Sequence, residues 1–123
     1  MIAQSAFTSY RERACGVLMS RGYDPVLPVE SCYLSRYIPL HLVGIGKDDE
    51  VLCVKLRMAY GTANERYVES SCRFECCQFR SLLLKDPGDA VLHCEVWVVS
   101  PNKMIHCFEI SQNTIREVAL YAR

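Results

Sequence analysis

Eight cysteines, three histidines and a set of spaced basic residues are the groups in this 123-residue chain best able to ligate, react or bind. Cys53 and Lys55 stand two apart in the run 50–57, so on a strand they share one face while Val54 and Leu56 take the other. His41 lies between Leu40 and Leu42, a setting in which an imidazole is more often a hydrogen-bonded core group than a ligand. Cys72 and Cys76 are one helical turn apart with Phe79 nearby, which points to core packing. A metal or redox role there needs ligands from another element, and the chain contains no C-x-x-C pair. Cys94 and Cys107 are expected on facing strands, as neighbours that stay reduced. His93 and His106 have no motif around them. Arg73 and Arg80, seven apart, share a helical face. With Lys55, Arg57 and Arg66 they make a strip suited to a nucleic-acid backbone, where each phosphate contact adds salt dependence. The plainer alternative is a solvated face offset by Glu65, Glu69 and Glu75.

Several elements must position these groups. Residues 5–21 read as a helix, with Phe7, Tyr10, Ala14, Val17, Leu18 and Arg21 at helical spacing and Gly22 as its stop. Residues 23–29 read as a short edge strand, because Pro25 and Pro28 cannot donate to a ladder. A loop over 30–37 leads to strands at 39–45 and 50–57, joined by the turn Gly46-Lys47-Asp48-Asp49. The stretch 58–68 is polar and irregular, and 69–84 reads as a second helix with Ser70 or Ser71 as N-cap and Pro87-Gly88 beyond its end. Residues 91–99 and 104–110 form a hairpin, and 111–122 a short terminal helix docking through Ile115, Val118 and Leu120. The order α-β-β-β-α-β-β-α implies an α/β domain: a mixed five-stranded sheet flanked by helices.

Composition bounds the function. Half the residues are hydrophobic and 23% charged, which fits one packed domain over 1–123 and argues against disorder. Lys plus Arg and Asp plus Glu both total 14, so the domain as a whole is not strongly basic, which removes the simplest argument for nucleic-acid binding and leaves a local basic patch open. No apolar run approaches a membrane span and no secretory signal is visible, so a cytoplasmic chain with no membrane partner is expected. Most cysteines sit inside apolar runs (VLCVKL, LHCEVWVV, IHCFEI) and are expected as reduced core residues.

Four short segments carry a family resemblance. They are Tyr10-Arg11-Glu12-Arg13 with the turn Arg21-Gly22-Tyr23-Asp24-Pro25-Val26; Ile38 to Ile45; Glu50-Val51-Leu52-Cys53-Val54-Lys55; and Cys94 to Pro101. Together with the element order, and over about Phe7 to Ile110, the chain resembles the PD-(D/E)XK restriction-endonuclease-like superfamily. Within it, the archaeal Holliday-junction-resolvase-like domains are the most similar. The resemblance implies that His41 occupies the position of the metal-binding aspartate and Cys53 that of the glutamate in (E/Q)-x-K, with Lys55 and a helix-borne Glu12 retained. Two carboxylates would hold Mg²⁺, a hard cation that prefers oxygen, while the lysine steadies the water or phosphate.

An imidazole and a thiol are poor substitutes for that site, so the resemblance implies a degenerate nuclease-like module that binds or processes DNA without ordinary metal-dependent cleavage. Lys55, Arg57, Arg73 and Arg80 would be its nucleic-acid contacts, and no cofactor is expected. One alternative is an active Mg²⁺-dependent endonuclease using Glu12, Asp48 or Asp49 as substitute carboxylates in a shifted register. Another is a scaffold subunit with no nucleic-acid role. By ligand type, Glu12, His41 and Cys53 would make a soft site suited to Zn²⁺. Resolvase-like members act as homodimers, and the apolar run Val96-Trp97-Val98-Val99 would either close a C2 pair or fill the core.

Overall fold

The computed structural model describes residues 2–85 and 91–118, with side chains from Tyr10 onward. The sequence-expected Pro87-Gly88 stop, the side chain of Phe7 and residues 119–122 lie outside the described residues. Helix α1 (Ile2–Ser20) leads to β1 (Asp24–Pro25), and two single-turn 3-10 segments (Val29–Ser31 and Tyr33–Arg36) lead to β2 (Leu42–Ile45) and β3 (Glu50–Met58). Helices α2 (Glu65–Ser71) and α3 (Arg73–Lys85) cross to β4 (Val91–Val99), followed by β5 (Ile105–Ile110) and β6 (Ile115–Val118). The six strands form one sheet in sequence order, antiparallel throughout except for the parallel pair β3–β4. That one parallel pair requires a crossover, which α2 and α3 supply.

Helix α1 ends as its glycine requires. Gly22 has φ +92, the Gly22 N–H donates to the Met19 carbonyl at 3.0 Å and the Tyr23 N–H to the Leu18 carbonyl at 3.2 Å. This is the Schellman arrangement, and Tyr23 packs against the same cluster as Leu18. The helix then lies directly on β2: a Cβ at Gly44 would stand 2.7 Å from Tyr23 Cβ and 2.9 Å from a Leu18 methyl. The β2–β3 hairpin turns at Asp48 and Asp49, both at positive φ (56 and 61), a conformation that aspartate tolerates.

The core has two layers, one on each face of the sheet. Ala14 and Leu18 of α1 pack with Leu42, Leu52, Val54, Leu56, Trp97 and Cys107. On the opposite face, Val68, Cys72, Cys76, Phe79 and Leu82 pack with Val43, Val51, Cys53, Cys94, Val96, Val98 and Phe108. Alternation along β3 and β4 assigns each residue its layer.

Several sequence expectations are corrected, and one left open is decided. The sheet has six strands because 115–118 pairs with β5 as a strand, where a terminal helix was expected; Ile115 opposes Ile110 and Val118 opposes Cys107. The expected single helix over 69–84 is two, starting at Glu65, with Asn64 as the N-cap: its Oδ1 accepts the Tyr67 N–H at 2.8 Å. The segment after residue 58 is therefore irregular only up to Asn64, and neither Ser70 nor Ser71 is a cap. The expected edge strand over 23–29 pairs only at Asp24 and Pro25, and the expected 39–45 strand starts at Leu42. Trp97, with Val96, Val98 and Val99, is buried inside the single chain between β3 and β5, so this run fills the core and offers no dimer face. Among the described residues, no helix is long and apolar enough to cross a membrane.

Candidate functional site

The hairpin register brings His41 and Lys55 together. Leu42 opposes Val54, and just before β2 the His41 N–H donates to the Val54 carbonyl at 3.0 Å. The ring is fixed as well: the Leu56 N–H donates to His41 Nδ1 at 2.7 Å. A ring that accepts at Nδ1 carries its proton on Nε2 when neutral. Burial lowers the pKa of His41, and the nearby cations Lys55 and Arg11 push it the same way against the weaker pull of Glu75. His41 is thus held as neutral imidazole.

Lys55 is the feature of the site that sequence reasoning described least well. Both its stem and its amine are withdrawn from water: the residue is only 5% exposed. The ammonium donates to Gln78 Oε1 on α3 and lies 5.8 Å from the centre of the Phe74 ring. Burial lowers its pKa, opposed by the charge of Glu75. Phe74 itself is 69% exposed, so the ring over the amine is held by little else.

Glu75 and Arg57 complete the neighbourhood. Arg57 Nη1 donates to Glu75 Oε2 at 2.6 Å, and this bond raises the Arg57 pKa. Glu75 Oε1 is buried with no hydrogen-bond partner among the described residues. Gln78, Glu75 and Phe74 were not foreseen as site residues. Their spacing on α3 (74, 75, 78) against Arg73 and Arg80 on a different side was the available signal.

Cys53 shares the Lys55 face but belongs to the core. It is fully buried and opposes Cys94 across the parallel pair, with a thiol–thiol hydrogen bond that, together with burial, raises its pKa. Cys94 is therefore a neighbour of Cys53 and not, as expected, of Cys107. Cys107 opposes Trp97 and lies in the other core layer. All eight cysteines are unpaired thiols, six of them buried.

Glu12 does not join the site. It is exposed on α1, whereas Arg11 falls three and seven residues before the buried Ala14 and Leu18 and shares their face. Asp48 and Asp49 sit at the far end of the hairpin; six residues of strand put Asp49 roughly 20 Å from Lys55. Among the described residues, no three His, Cys, Asp or Glu side chains converge as a metal-ligand group. The soft site of Glu12, His41 and Cys53 is therefore not assembled.

The expected basic strip is divided by α3. Lys55 and Arg57 lie with Glu75 and Gln78, while Arg73 and Arg80 line a separate groove with Arg66. Sequence reasoning also missed a buried ion pair on the α1 face. Arg21 donates from Nη1 and Nη2 to the two carboxylate oxygens of Glu95 at 2.6 and 2.9 Å, and Trp97 Nε1 donates to Oε1 of the same carboxylate at 2.8 Å. This pair joins the end of α1 to β4, with Glu95 only 2% exposed.

The resulting geometry presents one desolvated ammonium, one neutral imidazole and one guanidinium at the end of the hairpin opposite its turn. With the Glu75 carboxylate bonded to Arg57, the cations there can hold an anion, and among the described residues no group of three or more His, Cys, Asp or Glu side chains is gathered to hold a metal ion. No family model, curated protein or solved structure matches the chain.

Proposed function

We propose that the domain binds the phosphodiester backbone of DNA as a degenerate nuclease-like module, without ordinary metal-dependent cleavage. The observation that carries this reading is the Lys55 ammonium, withdrawn from water and, among the described residues, hydrogen-bonded to a neutral amide under an exposed aromatic ring beside His41, with the Glu75 charge nearby. A buried ammonium with no carboxylate bonded to it gains more from an arriving phosphate than a solvated one does. An arriving phosphate would meet the amine beside the exposed Phe74 ring, with Arg57, bonded to Glu75, two residues along the same strand. The resemblance to PD-(D/E)XK domains supports the same reading, since it aligns Lys55 with the lysine of (E/Q)-x-K on the strand beside His41. The replacement of both expected strand carboxylates by His41 and Cys53 supports the inactive version over the active one.

The test is a binding and cleavage assay with branched and linear DNA at low salt, with and without Mg²⁺ or Mn²⁺. Salt-sensitive binding without cleavage, weakened by Lys55→Met, is the expected result. Metal-dependent cleavage abolished by the same substitution would overturn the inactive reading in favour of an active nuclease. No binding at low salt would leave the scaffold subunit.

A further inference from the structure

The outer side of the crossover carries a second set of cations. Arg66 of α2 and Arg73 and Arg80 of α3 recur every seven residues and line one groove of about 760 Å³, with Glu69, Ser70, Cys76, Cys77 and Ile115 completing it. Three guanidiniums thus face a single carboxylate, Glu69. The groove has a built wall: Arg80 Nε donates to the Ser111 carbonyl at 2.9 Å, and Gln112 Nε2 donates back to the Arg80 carbonyl at 2.9 Å. The β5–β6 turn therefore fixes Arg80 through Nε, and among the described residues its two terminal nitrogens make no hydrogen bond. Arg66 and Arg73 are exposed.

We infer that this groove is a second phosphate-contact surface, in which Arg66, Arg73 and Arg80 engage separate phosphates of one nucleic-acid backbone. The inference rests on the DNA-binding reading above and extends it beyond Lys55. Two residues seven apart on α3 are roughly 10 Å apart along the helix axis, close to the axial advance of three nucleotides in one strand. The groove is far larger than a single phosphate needs, and the planar fork of arginine suits a phosphate's oxygens. Three guanidiniums lining one groove with a single carboxylate suit a polyanion with several phosphates.

The test compares the full chain with Arg66→Gln/Arg73→Gln and with Lys55→Met in DNA titrations across a salt series. Arg80 is left in place because it holds the β5–β6 turn, and circular dichroism confirms that the exposed double variant is folded. The double variant is expected to bind about tenfold or more weakly at low salt and to lose about two from the slope of log K against log salt. If it keeps the wild-type affinity and slope while Lys55→Met weakens binding, the groove inference fails and the Lys55 reading stands. If the double variant is weakened and Lys55→Met is not, the groove stands and the Lys55 assignment fails. If the wild-type chain binds no DNA, both fall.

Discussion

The Leu56 N–H donates to His41 Nδ1 at 2.7 Å, so a strand backbone group and an imidazole fix each other at the hairpin end that carries Lys55. The pKa of His41 is lowered by burial and by Lys55 and Arg11. A histidine whose pKa falls on folding stabilises the fold fully above its unfolded value near 6.5 and loses that contribution as pH falls through the window below it. Urea midpoints should therefore drop between pH 7.5 and 5.5. His41→Asn, which retains an acceptor but no titration, should flatten part of that drop; an identical pH dependence would contradict the assignment of a neutral, buried ring.

The Arg21–Glu95 pair is expected to dominate the stability of the α1 face. Arg21→Met leaves the Glu95 carboxylate buried with only the Trp97 N–H as donor, which should cost about 3–5 kcal/mol. Adding Glu95→Gln removes the stranded charge and keeps an acceptor for Trp97, so the double variant should recover much of the loss. Chemical denaturation of the two variants checks this, and an equally damaged double variant would show that the pair acts through packing alone.

Thiol labelling should separate the cysteines by layer. Cys77 is exposed and should react first, with the half-buried Cys15 next. Burial raises the pKa of Cys72 to about 11, and Cys53 and Cys107 are also raised, so the buried thiols should react only as the chain opens. Rapid modification of Cys53 or Cys94 in the native protein would mean that the β3–β4 seam is not sealed.

Much of this fold was legible because period and turn chemistry are local. The alternation of 50–57, the Asp48-Asp49 turn and the Gly22 stop each depend on a few neighbouring residues, and all three are where the sequence put them. The failures are tertiary. Residues 115–118 become a strand because β5 offers an unpaired edge, a fact invisible in Ile-Arg-Glu-Val itself. Cys94 meets Cys53 rather than Cys107 because the β3–β4 pair is parallel and in register at those two positions. At the site, Lys55 was found from its spacing to Cys53, but Gln78 and Glu75 reach it from a helix twenty residues later, and no local pattern marks that contact. Glu12 came from the family resemblance alone, whereas the helical wheel turns it away from the sheet and presents Arg11 instead.

Lys55→Met gives the most direct measurement of the central claim. The substitution keeps an apolar stem and removes a charge that folding already disfavours, so thermal stability should be unchanged or raised. The same variant should bind DNA about five- to tenfold more weakly at low salt, with a salt slope smaller by about one, corresponding to one lost phosphate contact. Unchanged stability with weakened binding is the result this account predicts. Lowered stability with unchanged DNA affinity and slope would contradict it, and would make Lys55 a packing residue and nothing more.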